Sequence, residues 1–572
     1  MSRPRSEKAL LGLRGATVSA WVAPALLLTA GLLAGAAAQD GRSGRPEVLA
    51  PLEEVGPTPR NSEPGERERP RRRPRGPAGN APPVCANGQP ALAAAEAEAL
   101  ARAAAAALDE PRLAAAVVDR LGNPLAVYRK PGTPDADLDL AVGLARTGAF
   151  FSHDQAPLSS RTVRFISGVH FPPGVARAPN AALYGIENTN RGCDLRVFFN
   201  TPATRVPPPR SVLHGGDCDA FDDSACGTGP VTGKPDPADT HGPLDSPVHR
   251  PPQVAVNPGG VPVYRGSALV GGVGVYAPDA PPAHAEFAAF ATAAGAVPGL
   301  APIPQPLTDP GVVFIDGIRL PFVRQVDRPA GSTSDGPQLD PLFLGPADGA
   351  CAPEGWLAGP FTGFDLSVAE VVQIVQQSID AAGRTRAVIR LPLGSRSRMV
   401  IAVSDLAGLI VGLYRMPDAT VFSIDVAVAK ARNVVWYSQP GNLPPLSPGT
   451  AVTNRTISFG AQPLFPAGID STAPGPFFDL FLDDLARPCF HGFDPASPNR
   501  NGIVFFPGSI PLYRGDRLIG GLGVSGDGVE QDDYVSYLGA AGFLPPETLW
   551  ADRQTIRGVR MPFLKFPRNP EG

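Results

Sequence analysis

The chain has 572 residues, with 50 Lys and Arg against 54 Asp and Glu and a net charge of −4, so its overall charge indicates neither a nucleic-acid partner nor an acidic one. Its 64 Gly and 69 Pro are about twice the usual share and predict long loops around a modest amount of regular structure.

The chain opens with Arg3, Arg5, Lys8 and Arg14, an apolar run from Ala20 to Ala34, and Ala36, Ala37 and Ala38 before Gln39. This order predicts a secretory signal peptide over 1–38 and a secreted or periplasmic product. The run contains Pro24 and Gly31 and is too short for a comfortable membrane span, so an uncleaved anchor is the lesser alternative. No later apolar run reaches 18 residues, which predicts no transmembrane segment in the mature chain. Residues 39–84, with the basic run "RERPRRRPRG", hold too little apolar surface to offset ordering entropy. They read as a disordered Pro/Arg-rich spacer or as a tether to an anionic surface. The six cysteines, an even number in an exported chain without C-x-x-C, favour disulfides over metal ligation. Cys218 and Cys226 are close enough to close a small loop. Of the three pairings open to the other four, Cys85 with Cys193 and Cys351 with Cys489 is preferred, because each pair staples one half.

The chain copies itself. "AVVDRLGNPLAVYRKP" (116–131) matches "AVSDLAGLIVGLYRMP" (402–417), and "VPVYRGSALVGGVGV" (261–275) matches "IPLYRGDRLIGGLGV" (510–524). "RTVRF" pairs with "RTISF" and "IDGIRLPF" with "IRGVRMPF", in the same order. Two copies are too few for a solenoid and define a tandem duplication. The expected domains are 85–323, with a loop insertion over about 200–251, and 361–572, joined by a linker over 324–360.

Each copy predicts one helix at 91–110 or 366–383, the second opened by a Ser367/Glu370 capping box. A strand pair follows, joined by Asp119-x-x-Gly122 or Asp405-x-x-Gly408, which suits a type I turn. A second helix starts at Asp139 or Asp425, with small residues Ala141 and Ala145, or Ala427 and Ala431, on the side that lies against a sheet. A terminal hairpin closes an α+β unit with an antiparallel sheet. Gly521, Gly523 and Gly526 spell G-x-G-x-x-G, but they follow a hairpin near the chain end, where a dinucleotide fingerprint would open a βαβ unit. They read as structural glycines that permit a helix to approach the strand.

The blocks "AVSDLAGLIVGLYRMPDA…SIDVAVAKARNVVWYS" and "GSIPLYRGDRLIGGLGVSGDGVEQDDYVSYLGAAGF" closely resemble the GlcG/HbpS family of haem-binding domains. The first copy has drifted: Gly143 or Leu144 stands where the lysine falls, and "YAPDAPPAHAEF" replaces "SGDGVEQDDYV". The resemblance implies two tandem profilin-like (α/β/α sandwich) domains that self-associate. It also implies haem or another tetrapyrrole as ligand, since some exported members bind haem and are tied to iron or redox sensing.

Candidate ligand-binding residues are Tyr414, Arg415 and Lys430, with Tyr128 and Arg129 in the first copy. Tyr beside Arg offers ring stacking next to a carboxylate partner, and Tyr264-Arg265 and Tyr513-Arg514 repeat the pairing. Arg415 and Lys430 would face a haem propionate while Tyr414 stacks on the ring. The plainer alternatives are amphipathic strand residues at a sheet edge and, for Lys430, a solvated helix charge. His153 and His170 are the axial-ligand candidates, with a surface or loop role as the alternative. Their mates in the second copy are Gln439 and Leu464, so no axial histidine is shared. The acidic run "DCDAFDD" (217–223) lacks the glycine and terminal Glu of an EF-hand and reads as a solvated loop. No Ser-His-Asp order, H-E-x-x-H or P-loop occurs, so no standard enzyme class has a motif. The function implied by the resemblance is a haem- or tetrapyrrole-binding accessory protein that is not a catalyst. Its rivals are a structural or partner-binding module with decayed pockets, and an enzyme acting on a small hydroxy acid.

Overall fold

Two Asp-x-x-Gly turns set the start of each sheet. Asp119 Oδ1 accepts from the amides of Leu121 (2.8 Å) and Asn123 (2.9 Å), and Asp405 Oδ1 from those of Ala407 (2.9 Å) and Leu409 (3.0 Å). The turn's fourth residue adopts φ +77° in both copies, a value that favours Gly122 and Gly408. The two aspartates belong to separate turns, one in each copy.

The computed structural model describes residues 83–168 except 86–87, residue 186, 257–335 except 308–312 and 316–317, 348–486 except 467–468 and 470–471, and 502–572. The expected signal peptide, nearly all of the spacer, the 200–251 insertion, His170, Cys193, Cys218, Cys226 and Cys489 lie outside the described residues.

The first copy comprises α1 (Ala94–Ala106), β1 (Ala114–Asp119), β2 (Pro124–Arg129), α2 (Asp135–Phe151), α3 (Ser160–Gly168), β3 (Gly260–Arg265), β4 (Ala268–Tyr276), α4 (Pro282–Gly295) and β5 (Leu300–Ala301). A short β6–β7 pair (Phe314–Ile315, Ile318–Arg319) follows. The second copy comprises β8 (Gly355–Ala358), α5 (Val368–Arg384), β9 (Val400–Asp405), β10 (Ile410–Arg415), α6 (Ser423–Tyr437), α7 (Asn454–Gly460), α8 (Phe478–Ala486), β11 (Ser509–Arg514), β12 (Arg517–Ser525) and α9 (Val529–Gly539). Both sheets are antiparallel, in the orders β2-β1-β4-β3-β5 and β11-β12-β9-β10-β8. The four shared strands follow one order, and the fifth strand joins opposite edges. In each copy one helix, α2 or α6, covers one sheet face, and a helix pair, α1 with α4 or α5 with α9, covers the other. Among the described residues no helix is long and apolar enough to cross a membrane.

The glycine run answers to helix packing. A Cβ at Gly272 or Gly274 would collide with the carbonyl oxygens of Ala145 and Ala141, and one at Gly521 or Gly523 with those of Ala431 and Ala427. The small helix residues and the strand glycines are therefore two halves of one contact. Arg146 and Arg432 complete it, each donating from Nε to the turn glycine carbonyl, Gly122 O (2.9 Å) or Gly408 O (2.8 Å).

Two sequence expectations are corrected. Cys85 is bonded to Cys351, with Cα atoms 6.2 Å apart across 266 residues, and so joins the first copy to the segment before the second. The expected Cys85–Cys193 and Cys351–Cys489 pairs assumed that each half was stapled alone. The expected linker over 324–360 also supplies β8, an edge strand of the second sheet. The copies share one apolar core that runs from α2 to the second sheet. Phe151 stacks on Phe422 at 4.3 Å, and the Phe150 carbonyl accepts from the amides of Val421 (3.1 Å) and Phe422 (3.3 Å).

Gly523→Ala should lower stability by about 1–3 kcal/mol through overpacking. Gly383→Ala, in a helix where an added Cβ meets nothing within 4 Å, should raise it by about 0.5–1 kcal/mol. Denaturant unfolding of the two variants measures both; a Gly523→Ala protein as stable as the parent would refute the close-contact account.

Candidate functional site

Because α6 lies directly on β12, Lys430 is carried into the interior near the end of that strand. Its side chain is wholly buried, and Nζ donates to Val524 O (2.9 Å) and Asp532 Oδ2 (3.0 Å), 5.0 Å from the Phe506 ring centroid. Asp532 Oδ1 accepts from the Asp527 amide (3.3 Å). Asp527 Oδ1 accepts from the amides of Val388 (2.6 Å) and Gly528 (2.9 Å), while its Oδ2 is buried without a hydrogen-bond partner. Asp533 receives the Gly508 amide (2.9 Å) and the Lys565 amide (3.1 Å) and pairs with Arg455. Burial pushes the Asp532 carboxyl up to about 7 against the pull of the Lys430 ammonium, and burial lowers Lys430.

This corner backs a groove of about 520 Å³ at the start of α9. Val388, Val529, Phe566 and Pro567 supply apolar lining, Gly528 and Gln531 bring the loop into the wall, and Phe314 reaches in from the β6–β7 pair. Arg386, Lys565 and Arg568 place three cations around it, with Glu530 paired to Lys565. Cations beside a helix N-terminus suit an anionic group. No His, Cys, Met or Tyr is among the lining residues.

The first copy builds the same corner without charge. A Cβ on Gly508 would meet Lys430 Nζ and the Asp532 Cβ, whereas one on Gly259 would meet Leu144 Cδ1 and the Ala285 Cβ. The neighbouring Arg–carboxylate pair is kept as Arg161–Glu286 and Arg455–Asp533. Its carboxylate also receives a matching amide, that of Gln325 (3.1 Å) or of Lys565 (3.1 Å).

The expected ligand residues do not assemble. Arg415 is buried, donating from Nε to Ala419 O (2.9 Å) and from Nη1 to Pro353 O (2.9 Å), with Glu354 at 3.7 Å. Burial, followed by the field of Arg120, lowers it to about 9, so it stays charged at neutral pH. Tyr414 is half-buried, edge-on to Trp356 at 5.5 Å. Arg415 and Lys430 are both wholly buried and share no hydrogen-bond partner among the described residues. Lys430 is no solvated surface charge either. Tyr128 is buried, and the exposed Arg129 donates to Thr133 O (3.0 Å). Tyr264 is bound through its hydroxyl to His153 O (2.9 Å) and Ala156 O (3.1 Å). Arg265 and Arg514 bind the first-turn glutamates Glu96 and Glu370, each at 2.6 Å.

His153 lies apart from the groove. It is wholly buried where the copies meet and is not among the groove's lining residues. Its Nδ1 accepts from the Gln155 amide (3.3 Å) and lies 3.5 Å from Arg390 Nη1, and its Nε2 is buried without a hydrogen-bond partner. Arg390 donates to Gln155 Oε1 (3.0 Å) and Asp418 Oδ2 (2.7 Å), while Arg120 faces Asp154 (3.3 Å) and Asp418 (3.5 Å). Burial first, then Arg390, holds His153 well below its usual range and so neutral. Among the described residues no cluster of three or more His, Cys, Asp or Glu could hold a metal ion. Of the groove, the motif "GVSGDG" with Gln531 was visible in sequence. Arg386, Lys565, Phe566 and Arg568 were missed, and the only signal for the last three was the mixed cationic and aromatic run "LKFPR" (564–568).

Residues 377–541 match the family model described as "Haem degrading protein HbpS-like". No curated protein matches the chain by sequence. Among solved structures, the chain is similar to the PduOC:heme complex at 23% identity, covering 31% of this chain and 94% of that one, with a TM-score of 0.21. It is similar to the Klebsiella pneumoniae protein ORFY at 20% identity, covering 31% and 88% with a TM-score of 0.21, and to HbpS at 16%, covering 32% and 92% with a TM-score of 0.20. These structural likenesses are too slight to bear on function.

His153 gives a pH test. Its folded pKa lies below the unfolded value of about 6.5, so the unfolded chain gains a proton as pH falls through that value while the folded chain does not. That group alone removes stability toward acid by up to about 1.4 kcal/mol per pH unit. Buried carboxyls with raised pKa, Asp532 among them, act in the opposite sense, so the comparison is between proteins. His153→Gln should lose stability less steeply than the parent between about pH 6.5 and 5, read from denaturant midpoints; identical slopes would show that His153 does not carry the effect.

Proposed function

We propose, from the premise that residues 377–541 are an HbpS-like domain, that the chain is an exported haem- or tetrapyrrole-binding accessory protein and not a catalyst. In this reading its two copies are tandem profilin-like domains, and the ligand site is the groove of the second. A link to iron or redox sensing belongs to the same proposal.

The observation that carries it is the groove itself: apolar lining next to Arg386, Lys565 and Arg568, at a helix start. A haem presents an apolar ring and two carboxylates, and guanidinium and ammonium groups suit the carboxylates. The fit holds for that part of the molecule. The lining offers no imidazole or other common axial side chain. Binding here would rest on propionate pairing and on ring contact with Val388, Val529 and Phe566. When bound, haem would supply redox-active iron; the chain's own residues hold its carboxylates and shield one ring face.

The rival structural module fits the first copy, whose corresponding corner is closed by Leu144 and Ala285. The hydroxy-acid enzyme loses its encouragement, since all four Tyr–Arg arginines are engaged within the chain, Arg415 in the interior, Arg265 and Arg514 with helix-start glutamates and Arg129 with Thr133 O, and Tyr128, Tyr264 and Tyr513 are buried.

Titration of the full-length protein with hemin should shift the Soret band and saturate at one equivalent per chain, without the spectrum of a bis-histidine haem. Arg386→Ala with Arg568→Ala should weaken binding about tenfold or more, the loss of charge-assisted hydrogen bonds, and Arg129→Ala should leave it unchanged. A flat titration would put the structural module ahead.

A further inference from the structure

The second copy keeps a buried ion pair where the first has two aliphatic side chains. Leu144 stands for Lys430 and Ala285 for Asp532, around Gly259 and Gly508. The frame of the corner is otherwise the same: the helix lies on the strand glycines, and the adjoining Arg–carboxylate pair recurs. The first copy therefore shows that this fold closes the corner with carbon alone. Burying an ammonium and a carboxylate costs several kcal/mol per ion, and replacing such a pair with packed apolar groups is often neutral or stabilising. The first copy keeps its frame without such a pair, which points to a role for Lys430 and Asp532 beyond packing.

That role follows from what Asp532 holds. Beyond Lys430 it receives the Asp527 amide (3.3 Å), and Asp527 in turn receives the amides of Val388 (2.6 Å) and Gly528 (2.9 Å). Val388 and Gly528 both line the groove. Three links thus run from Lys430 Nζ to the groove wall, and the Oδ2 of Asp527 is buried without a hydrogen-bond partner. Gly526 fixes the entry to the loop, since a Cβ there would collide with the Arg398 backbone. The first copy has Ala277 and Pro278 at this point and starts α4 with Pro282.

We infer that Lys430, Asp532 and Asp527 are positioning residues that hold the glycine loop and the first turn of α9 in the form that receives a ligand carboxylate, and that the first copy has no equivalent site. This rests on the groove being the ligand site. The groups facing the pair are Asp533, Arg455 and the Phe506 ring around Lys430, and Asp527 beside Asp532. With Asp532 raised to about 7, lowering the pH through that value protonates it and slackens the tie to Asp527.

The test transplants the first copy's pair into the full chain as Lys430→Leu with Asp532→Ala. Thermal unfolding should be at or above that of the parent, because the fold already accepts these residues in its other half. Hemin affinity at pH 8 should fall at least tenfold, the parent's loss of affinity below about pH 7 should vanish, and amide exchange at 526–531 should quicken tenfold or more. Parental affinity together with parental exchange would overturn the inference. If the parent itself takes up no hemin, the haem reading falls, and exchange at 526–531 alone decides: faster exchange supports positioning and unchanged protection refutes it. Should the double variant fail to fold, Lys430→Met with Asp532→Asn carries the same readouts.

Discussion

The structure depends on one close approach, that of a helix backbone to a strand backbone with no side chain between them. In the second copy the carbonyls of Ala427 and Ala431 rest where Gly523 and Gly521 would otherwise carry Cβ atoms, and the first copy repeats the contact with Ala141, Ala145, Gly274 and Gly272. Interiors pack to crystal-like density, so a methyl added here has nowhere to go. The approach also sets the reach of every longer side chain on that helix. It lets Arg432 span to the turn carbonyl of Gly408 and brings Lys430 Nζ within 2.9 Å of Val524 O. From Lys430 the hydrogen bonds lead outward to the groove.

Features written in short spacings were legible from sequence. The Asp119 and Asp405 turns, the Ser367/Glu370 cap and the glycine-to-alanine match between strand and helix all follow from local rules, and the structure holds each of them. Features that depend on how the copies meet were not. Arg415 looked like a strand-end cation because nothing local shows that Pro353 and Ala419 close over it. His153 looked like a metal ligand because its cage of Arg390, Asp418 and Arg120 comes from distant segments. Lys430 misled for a related reason: α6 is buried on nearly every side, so the expectation that a lysine marks a solvated helix face fails. The disulfide escaped because it ties the start of one copy to the approach of the other.

The two copies have divided their labour. The first retains the frame, closes its corner with Leu144 and Ala285, and contributes Phe314 to the groove of the second. It also supplies half of the interface, where Phe151 stacks on Phe422 and the Asp154 amide donates to Asp418 Oδ1 (2.9 Å). The second retains the charged corner and the loop that corner holds. On the proposed function, the second copy binds the ligand and the first supports it, which accounts for the drift concentrated in the first half.

The most direct measurement is an anomalous difference map, collected at the iron edge, from crystals of the full-length protein grown with hemin. The account predicts one iron peak per chain, at the start of α9 between Arg386 and Arg568, with no peak in the first copy. Iron beside His153 at the interface, or at the Leu144–Ala285 corner of the first copy, would contradict it.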